Sequence, residues 1–278
     1  TGTITETENG TTTKLDMNKQ TDRKGNSPTL DLFFTHKMRN RQKIELNMVG
    51  QYSHSYYYNN LIYRDSESEW EYPTKVMNNG YAISGEAVYG KQLKKAEVRV
   101  GLQYQHNFAS NDYVVYETQT EMTKDNTYLY TSIDGNLSDN VMYSLGTGVK
   151  FFTVTDGIDT KRYLRNLSTA GLFWRINQRW SVTVNTQFVP YLPSLSDMSP
   201  VLQRVDDVEA ICGNESLRPY NTLFGALRLR YNNKGWFASM IPSYYRNFSP
   251  TVRLYHYDPD LDLFVGTRQN TDYYQRFQ

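Results

Sequence analysis

The 278-residue sequence has a single cysteine, Cys212, which excludes a disulfide framework within the chain. It also lacks any run close to the roughly 18 apolar residues that a membrane-spanning helix needs. The mean hydropathy of −0.68 is low for a packed globular core of this size. The net charge of +1 gives no strong field that would indicate nucleic acid as a partner. The lack of such a run does not exclude a membrane protein, because the strands of a membrane barrel carry a far weaker hydropathy signal.

Aromatic side chains with a polar end are abundant, with 24 Tyr against 12 Phe. Such side chains suit a boundary between water and lipid, because the ring can be buried while its polar atom stays wet. The tyrosines cluster where apolar segments meet long polar links, whereas Trp174, Trp180 and Trp236 lie beside short turns. Two aromatic bands separated by the length of a strand are typical of the girdles of an outer-membrane barrel.

Apolar and polar residues alternate with a period of two in several segments. Between residues 97 and 108, Val98, Val100 and Leu102 share one face, and Arg99 and Gln103 share the other. The same alternation recurs over residues 44–53, 141–151, 180–188 and 223–231. Strand spacing fits all of these segments and helical spacing fits none. The segments are about 9–13 residues long, close to the about 9–11 that a tilted strand needs to cross a bilayer.

Short polar turns alternate with long polar links along the chain. The short turns are Lys37–Gln42, Lys91–Lys95, Asn136–Asn140, Ile176–Arg179 and Tyr231–Gly235. The long links are Tyr57–Asn79, Ser110–Asn126, Asp156–Arg162, Pro190–Tyr220 and Arg246–Phe264. This rhythm is typical of outer-membrane barrels, with short turns in the periplasm and long loops outside the cell.

The pattern predicts an all-β fold: a transmembrane antiparallel meander that forms part of a β-barrel. About ten full strands in hairpins, with partial strands near Ile4–Leu15 and Leu263–Tyr274, give about 10–12 long strands in a single sheet. Residues 1–278 are expected to form part of one barrel domain. The small residues on the polar faces suit a wide barrel, so the first and last strands should pair with segments outside this chain.

A more specific pattern lies between residues 188 and 219. It runs Phe-Val-Pro-Tyr-Leu-Pro-Ser-Leu and continues as Gly213, Asn214, Glu215, Ser216, Leu217, Arg218 and Pro219. This resembles a loop of TonB-dependent receptors that reads Gly-Asn-Pro-x-Leu-Lys-Pro-Glu before a long strand. Here Glu215 replaces the usual Pro, Arg218 the Lys and Tyr220 the Glu. The chain therefore resembles the outer-membrane β-barrel family of these receptors.

The resemblance implies active uptake of a siderophore, vitamin, glycan or peptide through the outer membrane of a Gram-negative bacterium. It implies a barrel of 22 strands with an N-terminal plug, energised through TonB. No plug domain is recognisable in this sequence. The implied partners are outer-membrane lipid, TonB and the plug of a full-length parent, with a surface lipoprotein as a further candidate. The alternatives are a passive porin-like channel and a soluble extracellular β-sheet binding module.

Few residues indicate chemistry. The charged group Arg204, Asp206, Asp207 and Glu209 is a candidate for solute contact in the long loop, against the simpler interpretation of a solvated loop. Alternation places Arg99, Arg228 and Arg230 in the lumen, where they would line a solute path or hold a plug. The four histidines are scattered, and Asp258–Asp262 lacks the glycine and the downstream glutamate of an EF-hand. The sequence thus predicts no catalytic residue, cofactor or metal, and hence no enzyme.

Overall fold

The structure is a computed structural model that describes residues 2–8, 11–65, 67–156 and 159–278. Strands make up 78% of it, which confirms the predicted all-β class. They are β1 (Gly2–Glu8), β2 (Thr11–Asn26), β3 (Thr29–Met38), β4 (Gln42–Arg64), β5 (Glu69–Gln92), β6 (Ala96–Tyr113), β7 (Thr118–Ser138), β8 (Val141–Thr155), β9 (Thr160–Arg175), β10 (Trp180–Tyr191), β11 (Gln203–Arg204), β12 (Glu209–Cys212), β13 (Tyr220–Asn233), β14 (Trp236–Met240), β15 (Ser243–Phe248), β16 (Thr251–Asp258), β17 (Leu263–Asn270) and β18 (Tyr273–Phe277). One short helix, α1, spans Leu195–Met198. No helix in the described part of the chain is long and apolar enough to cross a membrane.

The large sheet has 14 strands, in the order β1-β2-β4-β5-β6-β7-β8-β9-β10-β13-β15-β18. Strand β4 pairs with β3 along the half nearest its short turn and with β2 along the other half. In the same way, β13 pairs with β14 near the short turn and with β15 farther from it. Every pairing described in this sheet is antiparallel, and its strands run in chain order with β11, β12, β16 and β17 left out, as expected for a meander of hairpins. Among the described residues, β1 and β18 do not pair, so the sheet is open at both edges, as predicted.

The five short turns lie where the sequence predicts them. The turn after β9 closes because the side-chain oxygen Oδ1 of Asn177 accepts hydrogen bonds from the backbone N–H groups of Arg179 and Trp180. The turn after β13 contains Gly235 at a φ of +90°, a conformation that only glycine adopts without strain. Local turn chemistry therefore sets these connections, and the register of each hairpin follows from it.

At the end of the sheet opposite the short turns, the strands extend farther than predicted. Strand β4 has 23 residues and β5 has 24, so most of the predicted link Tyr57–Asn79 is an extension of this hairpin. The predicted link Ser110–Asn126 is likewise mostly strand. These extensions lie beyond the apolar segments, and their side chains do not alternate between apolar and polar. The sequence pattern is therefore lost, although Tyr, Thr and Val still favour strand.

The register separates the sheet into an apolar face and a polar face. Directly paired residues lie on the same face, and one row crosses six strands through Phe34, Leu46, Ala87, Leu102, Leu129 and Val149. A second row joins Trp174, Val182, Leu229 and Met240. These rows define the apolar face, on which Leu102 is 50% exposed. Arg99, Gln103, Thr183, Arg228 and Arg230 lie on the other side, the polar face.

Aromatic residues border the apolar face at both ends. At the loop end, Tyr52 pairs with Tyr81, whose ring centroid lies 5.4 Å from that of Phe108. At the short-turn end, the rings of Trp180 and Tyr231 lie 4.8 Å apart. From Tyr81 to Tyr89 the strand is about 26 Å long, which at a tilt of about 40° spans a height of about 20 Å, somewhat less than the apolar band of about 25 Å in outer-membrane barrels. The two bands fit the predicted interfacial girdles.

A second sheet corrects the expectation of a single sheet. It has four strands in the order β11-β12-β17-β16, and its β12–β17 pair is parallel. The predicted partial strand Leu263–Tyr274 is therefore mostly β17 of this sheet and only partly β18 of the large one. The sequence carries no signal for it, because β11 and β12 are too short for periodicity and the parallel pair joins segments some 50 residues apart. This sheet is called the loop sheet below.

Candidate functional site: the loop end of the polar face

The loop sheet lies against the polar face of the extended β4–β5 hairpin. The indole N–H of Trp70 donates a hydrogen bond of 2.9 Å to Asp207 Oδ1. The guanidinium carbon of Arg204 lies 4.2 Å from the centre of the Tyr72 ring. The Tyr63 ring stacks on the Trp70 ring, with 5.8 Å between the ring centroids, and Tyr63 is only 3% exposed. Three aromatic residues of the hairpin thus form the surface on which the loop docks.

The structure brings together the four charged residues predicted for solute contact, and each also has a structural partner. Arg204 donates through Nε to the carbonyl of Asp206 and through a terminal nitrogen to that of Asp207, both at 3.0 Å. Asp206 Oδ1 accepts from the backbone N–H groups of Val208 and Glu209. Glu209 Oε1 accepts from the Tyr255 hydroxyl at 2.9 Å. The loop carrying these charges is therefore well ordered by its own contacts.

Burial in this cluster affects two tyrosines. Burial, followed by the hydrogen bond and the negative charge of Asp207, raises the pKa of Tyr72 to about 12. Burial and the charges of Asp207 and Asp206 also raise the pKa of Tyr63. Both phenols therefore stay neutral at ordinary pH, and a neutral phenol tolerates the nearby carboxylates.

A cavity of about 490 Å³ lies between the polar face and the loop sheet. Its wall includes Leu61 and Tyr63 of the hairpin and Ile211 of β12, which are apolar or aromatic. Its polar lining includes Lys19, Asn59, Gln203, Arg204, Asp206, Glu209 and Arg253. Small-molecule sites combine apolar or aromatic walls with converging polar groups, and in this cavity the polar and charged residues are the majority. Three of the four predicted loop residues line this cavity, and Asp207 instead fastens the loop beside it.

A second cavity, of about 820 Å³, opens beside β7. Hydroxyl and amide groups of Tyr116, Thr118, Gln119 and Thr120 line one side, and Ser199 to Leu202 line the other. The Tyr116 hydroxyl also accepts a hydrogen bond from the backbone N–H of Arg204, so the same loop borders both cavities. The loop end of the polar face therefore contains two neighbouring cavities.

The motif that carries the family resemblance is the anchor of this loop. The backbone N–H of Gly213 donates to the Ser199 carbonyl at 2.9 Å, and a Cβ at Gly213 would overlap that same oxygen. Asn214 donates through Nδ2 to the carbonyl of Arg268 at 2.8 Å, which ties the motif to β17. Leu217 is 1% exposed and belongs to a small core with Met122, Val154 and Met198.

The end of the motif is fixed to the strands below it. The backbone N–H of Arg218 donates to Asn270 Oδ1 at 2.9 Å. The Pro219 carbonyl accepts from Arg165, and the Glu215 carbonyl accepts from Lys161 at 2.7 Å. The motif therefore positions the loop that borders the two cavities, and of its described residues only Glu215 lines either of them.

The arginines predicted for the lumen lie on the polar face near the short turns, but Arg99 on β6 is separated by four strands from Arg228 and Arg230 on β13. Arg99 forms an ion pair with Glu97 at 2.9 Å, and Lys43 pairs with the same carboxylate at 3.0 Å. The guanidinium of Arg230 lies 5.6 Å from the centre of the Phe237 ring. Arg228 lies on the same face and is exposed. These charges stand far from the loop sheet along the strands, so they are not part of the same site.

The other residues considered from the sequence do not converge. His106 pairs with Asp125 at 2.8 Å and His54 with Asn79 at 2.6 Å, each on the apolar face. In the part of the chain that the structure describes, no three potential metal ligands come together. Asp258 Oδ1 caps its own turn, which fits a solvated turn in this segment. Burial raises the pKa of the Cys212 thiol, which makes it a poor nucleophile.

Sequence analysis missed Trp70, Tyr72, Tyr113 and Tyr116, which hold the loop. Tyr113 donates from its hydroxyl to Ser199 Oγ at 3.2 Å and is 3% exposed. In sequence these aromatics resemble the many other tyrosines of the long links. The sequence shows only that tyrosines are abundant in these links. It does not show which of them hold the loop, because the partner of each lies some 86 to 137 residues away in the chain.

Comparison with known proteins identifies the architecture. No family profile and no curated protein matches the sequence. Among solved structures, the copper transporter OprC superposes with a TM-score of 0.60 at 8% identity, over 94% of this chain and 52% of that chain. The ferric enterobactin receptor PfeA from Pseudomonas aeruginosa gives 0.58 at 9% identity, over 92% of this chain and 49% of its own. The FrpB iron transporter from Neisseria meningitidis (F3-3 variant) superposes with a TM-score of 0.54 at 10% identity, over 99% of this chain and 55% of that chain.

These neighbours are TonB-dependent outer-membrane receptors. The chain has the fold of part of their barrel, and it spans about half the length of each of these three structures. The similarity shows the fold alone, because the identities are low.

Proposed function

We propose that this chain is the barrel portion of a receptor that actively takes up a solute across the outer membrane of a Gram-negative bacterium, as part of a longer parent protein. The observation that carries the proposal is the recessed, loop-covered polar face at one end of a wall whose other face is apolar. A lipid-facing wall holds the protein in the membrane, and the loop end captures solute from outside. The shared fold with siderophore, iron and copper receptors supports this proposal.

In this proposal the apolar face contacts lipid, and the polar face lines the lumen. The short turns lie in the periplasm, and the loop sheet lies outside the cell. Arg204, Asp206 and Glu209 contact solute in the cavity that they line, and Asp207 holds their loop in place. The polar-face arginines Arg99, Arg228 and Arg230 hold a plug or line the path beneath it.

The open edges require further strands. Each unpaired N–H or C=O group in hydrocarbon costs several kcal/mol, so a membrane wall must close. Strands β1 and β18 therefore pair with segments of the parent outside this chain. The partners of the complete protein are outer-membrane lipid, its own plug domain and TonB, with a surface lipoprotein as a candidate lid. The protein acts as a receptor and transporter, not as an enzyme.

Uptake by the full-length parent tests the proposal. Cells that express it should accumulate radiolabelled solute from a panel of ferric siderophores, cobalamin, oligosaccharides and peptides. Deletion of TonB or collapse of the proton gradient should abolish that uptake, because a plugged barrel passes solute only when energised. Uptake that persists without TonB would instead support a passive porin-like channel. A parent that is extracted from cells without detergent would support a soluble binding module.

A further inference from the structure

One edge of β7 is unpaired beside the second cavity. Strand β7 pairs with β6 from its first residue, Thr118, but β8 begins to pair with β7 only at Thr123. Among the described residues, Thr118–Met122 therefore have a neighbouring strand on one side only. All of these residues line the cavity of about 820 Å³. Because side chains of a strand alternate between its two faces, consecutive residues line one cavity when that cavity lies at the edge of the strand.

The register shows which backbone groups face the cavity. The N–H of Asn136 donates to the carbonyl of Lys95, so Asn136 and every second residue before it on β7 bond to β6. That series ends at Thr118. The backbone N–H and C=O groups of Gln119 and Glu121 therefore point away from β6, and no described strand pairs with them. They form the free half of a β-ladder, which is a template for pairing with another chain.

The cavity is a notch beside a short hairpin. The β8–β9 hairpin turns at Asp156, whose backbone N–H donates to the Asp159 carbonyl, whereas the β6–β7 hairpin continues past this level. The loop segment from Ser199 to Leu202 forms the other wall. Along Thr118–Met122 the notch is about 17 Å long, the length of about five extended residues. Its volume lies within the range of about 300–1,000 Å³ that is usual for ligand sites.

The charged side chains in the described lining of the cavity are all carboxylates, namely those of Glu121, Asp156 and Glu215. Asp156 has a cation nearby, because the Lys161 ammonium lies 3.8 Å from its Oδ2 and also donates to the Glu215 carbonyl. In the described part of the chain, Glu121 accepts a hydrogen bond of 3.1 Å from the neutral Gln119 amide and has no ion pair. The cavity therefore keeps a net negative charge, which favours a cationic ligand over an anionic one.

We propose that an extended peptide with a basic side chain binds in this cavity as an added strand beside Thr118–Met122. Its backbone bonds to the outward groups of Gln119 and Glu121, and its Lys or Arg side chain contacts the carboxylates of the lining. Main-chain pairing gives affinity for any extended peptide, and the carboxylates select the basic ones. An oligosaccharide lacks the alternating N–H and C=O groups that match a strand edge. This inference rests on the proposed function and names a basic peptide as the solute.

Retention of peptide pools by the immobilised full-length parent in detergent tests the proposal. Mass spectrometry compares three pools of random hexapeptides: one with a fixed Lys, one with Glu at that position, and a Lys pool with every backbone amide N-methylated. The Lys pool should be retained about tenfold more than the Glu pool, because the lining is negative. N-methylation should lower the retention of the Lys pool by at least about tenfold, since it removes the donors that pair with the edge.

Substitutions in the parent separate the backbone edge from the side chains. Gln119→Pro removes an outward N–H without breaking a bond to β6, so it should lower retention of the Lys pool by about fivefold. Gln119→Ala keeps that N–H and should lower it by less than about twofold. Glu121→Gln should reduce the preference for Lys peptides over Glu peptides. Glu117→Gln, at an exposed acid outside the described lining, is the control and should change nothing.

Each result supports or overturns the proposal. Equal retention of the Lys and Glu pools would overturn it, and so would retention that survives N-methylation or the absence of any retained peptide. Heat-modified gel mobility checks that each variant is a folded barrel, and the N-methylated pool decides the matter if Gln119→Pro does not fold. TonB-dependent uptake of another solute by a parent that retains no peptide would reject this inference alone. Peptide retention by a parent whose uptake does not need TonB would reject the proposed function alone.

Discussion

Trp70 and Asp207 are 137 residues apart in the chain and are joined by a 2.9 Å hydrogen bond from the indole N–H to the carboxylate. This contact fastens the loop sheet to the polar face of the β4–β5 hairpin. The Arg204–Tyr72 contact lies beside it and adds a cation–π interaction. The shape of the cavity therefore depends on a few contacts between distant segments, and these contacts can be removed one at a time.

Removal of the Trp70 donor should loosen the loop. Trp70→Phe keeps an aromatic ring but removes the indole N–H that donates to Asp207, and a hydrogen bond to a charged group contributes about 1.5–3 kcal/mol. We expect amide hydrogen exchange of residues 203–212 in the full-length parent to become at least about tenfold faster. Trp236→Phe, at an exposed tryptophan beside a short turn, is the control. Unchanged exchange in Trp70→Phe would mean that other contacts alone hold the loop.

Docking of the loop should fail at high pH. The pKa of Tyr72 is raised to about 12, above the 10.0 of a free phenol, so folding favours its neutral form. Its contribution is fully present below pH 10 and is lost as the pH rises through about 12, because the undocked state loses its proton first. The protection factors of residues 203–212, which are corrected for the intrinsic rise of amide exchange with pH, should therefore fall over this window. Tyr72→Phe should remove the part of the pH dependence that Tyr72 causes, whereas an identical profile in both proteins would assign it to another group.

The two faces of β10 should respond differently to charge. Val184 lies between Leu172 and Leu227 on the apolar face, and neighbouring Thr183 lies on the polar face. Val184→Arg should destabilise the full-length barrel by about 2–4 kcal/mol in a reversible folding assay in lipid vesicles. Thr183→Arg should cost much less, since its side chain points to the lumen. Equal penalties would contradict the assignment of the faces.

Gly213 should be intolerant of a side chain. A Cβ there would overlap the Ser199 carbonyl oxygen, which also accepts the Gly213 N–H. Gly213→Ala should therefore displace the motif, increase protease cleavage within residues 192–219 and weaken solute binding by the parent. Gly225→Ala is the matched control, because a Cβ at that position meets nothing within 4 Å. Normal protease resistance in Gly213→Ala would show that the anchor can shift without consequence.

The orientation of the barrel can be read on intact cells. In a Cys212→Ser background, a cysteine at the 60% exposed position Val208 should react with an impermeant maleimide. A cysteine at Asp139, in the short turn between β7 and β8, should react only after permeabilisation. Both results follow if the loop sheet faces the outside of the cell. The reverse pattern would place the loops in the periplasm.

The sequence by itself determined the class of fold, the positions of the short turns and the division of faces. Each of these is set locally: alternation assigns a side chain to one face, and turn residues such as Asn177 and Gly235 close a hairpin within a few positions. Alternation alone therefore assigns Val98, Arg99 and Val184 to the correct faces of the sheet. The same local signals locate the glycine-asparagine motif but not its role as an anchor.

Only the tertiary structure decided how the loop end is built. The extension of β4 and β5, the loop sheet with its parallel β12–β17 pair, and the docking of Asp207 on Trp70 all join segments that are far apart in sequence. Such contacts leave no periodic pattern, because each depends on one pair of side chains meeting in space.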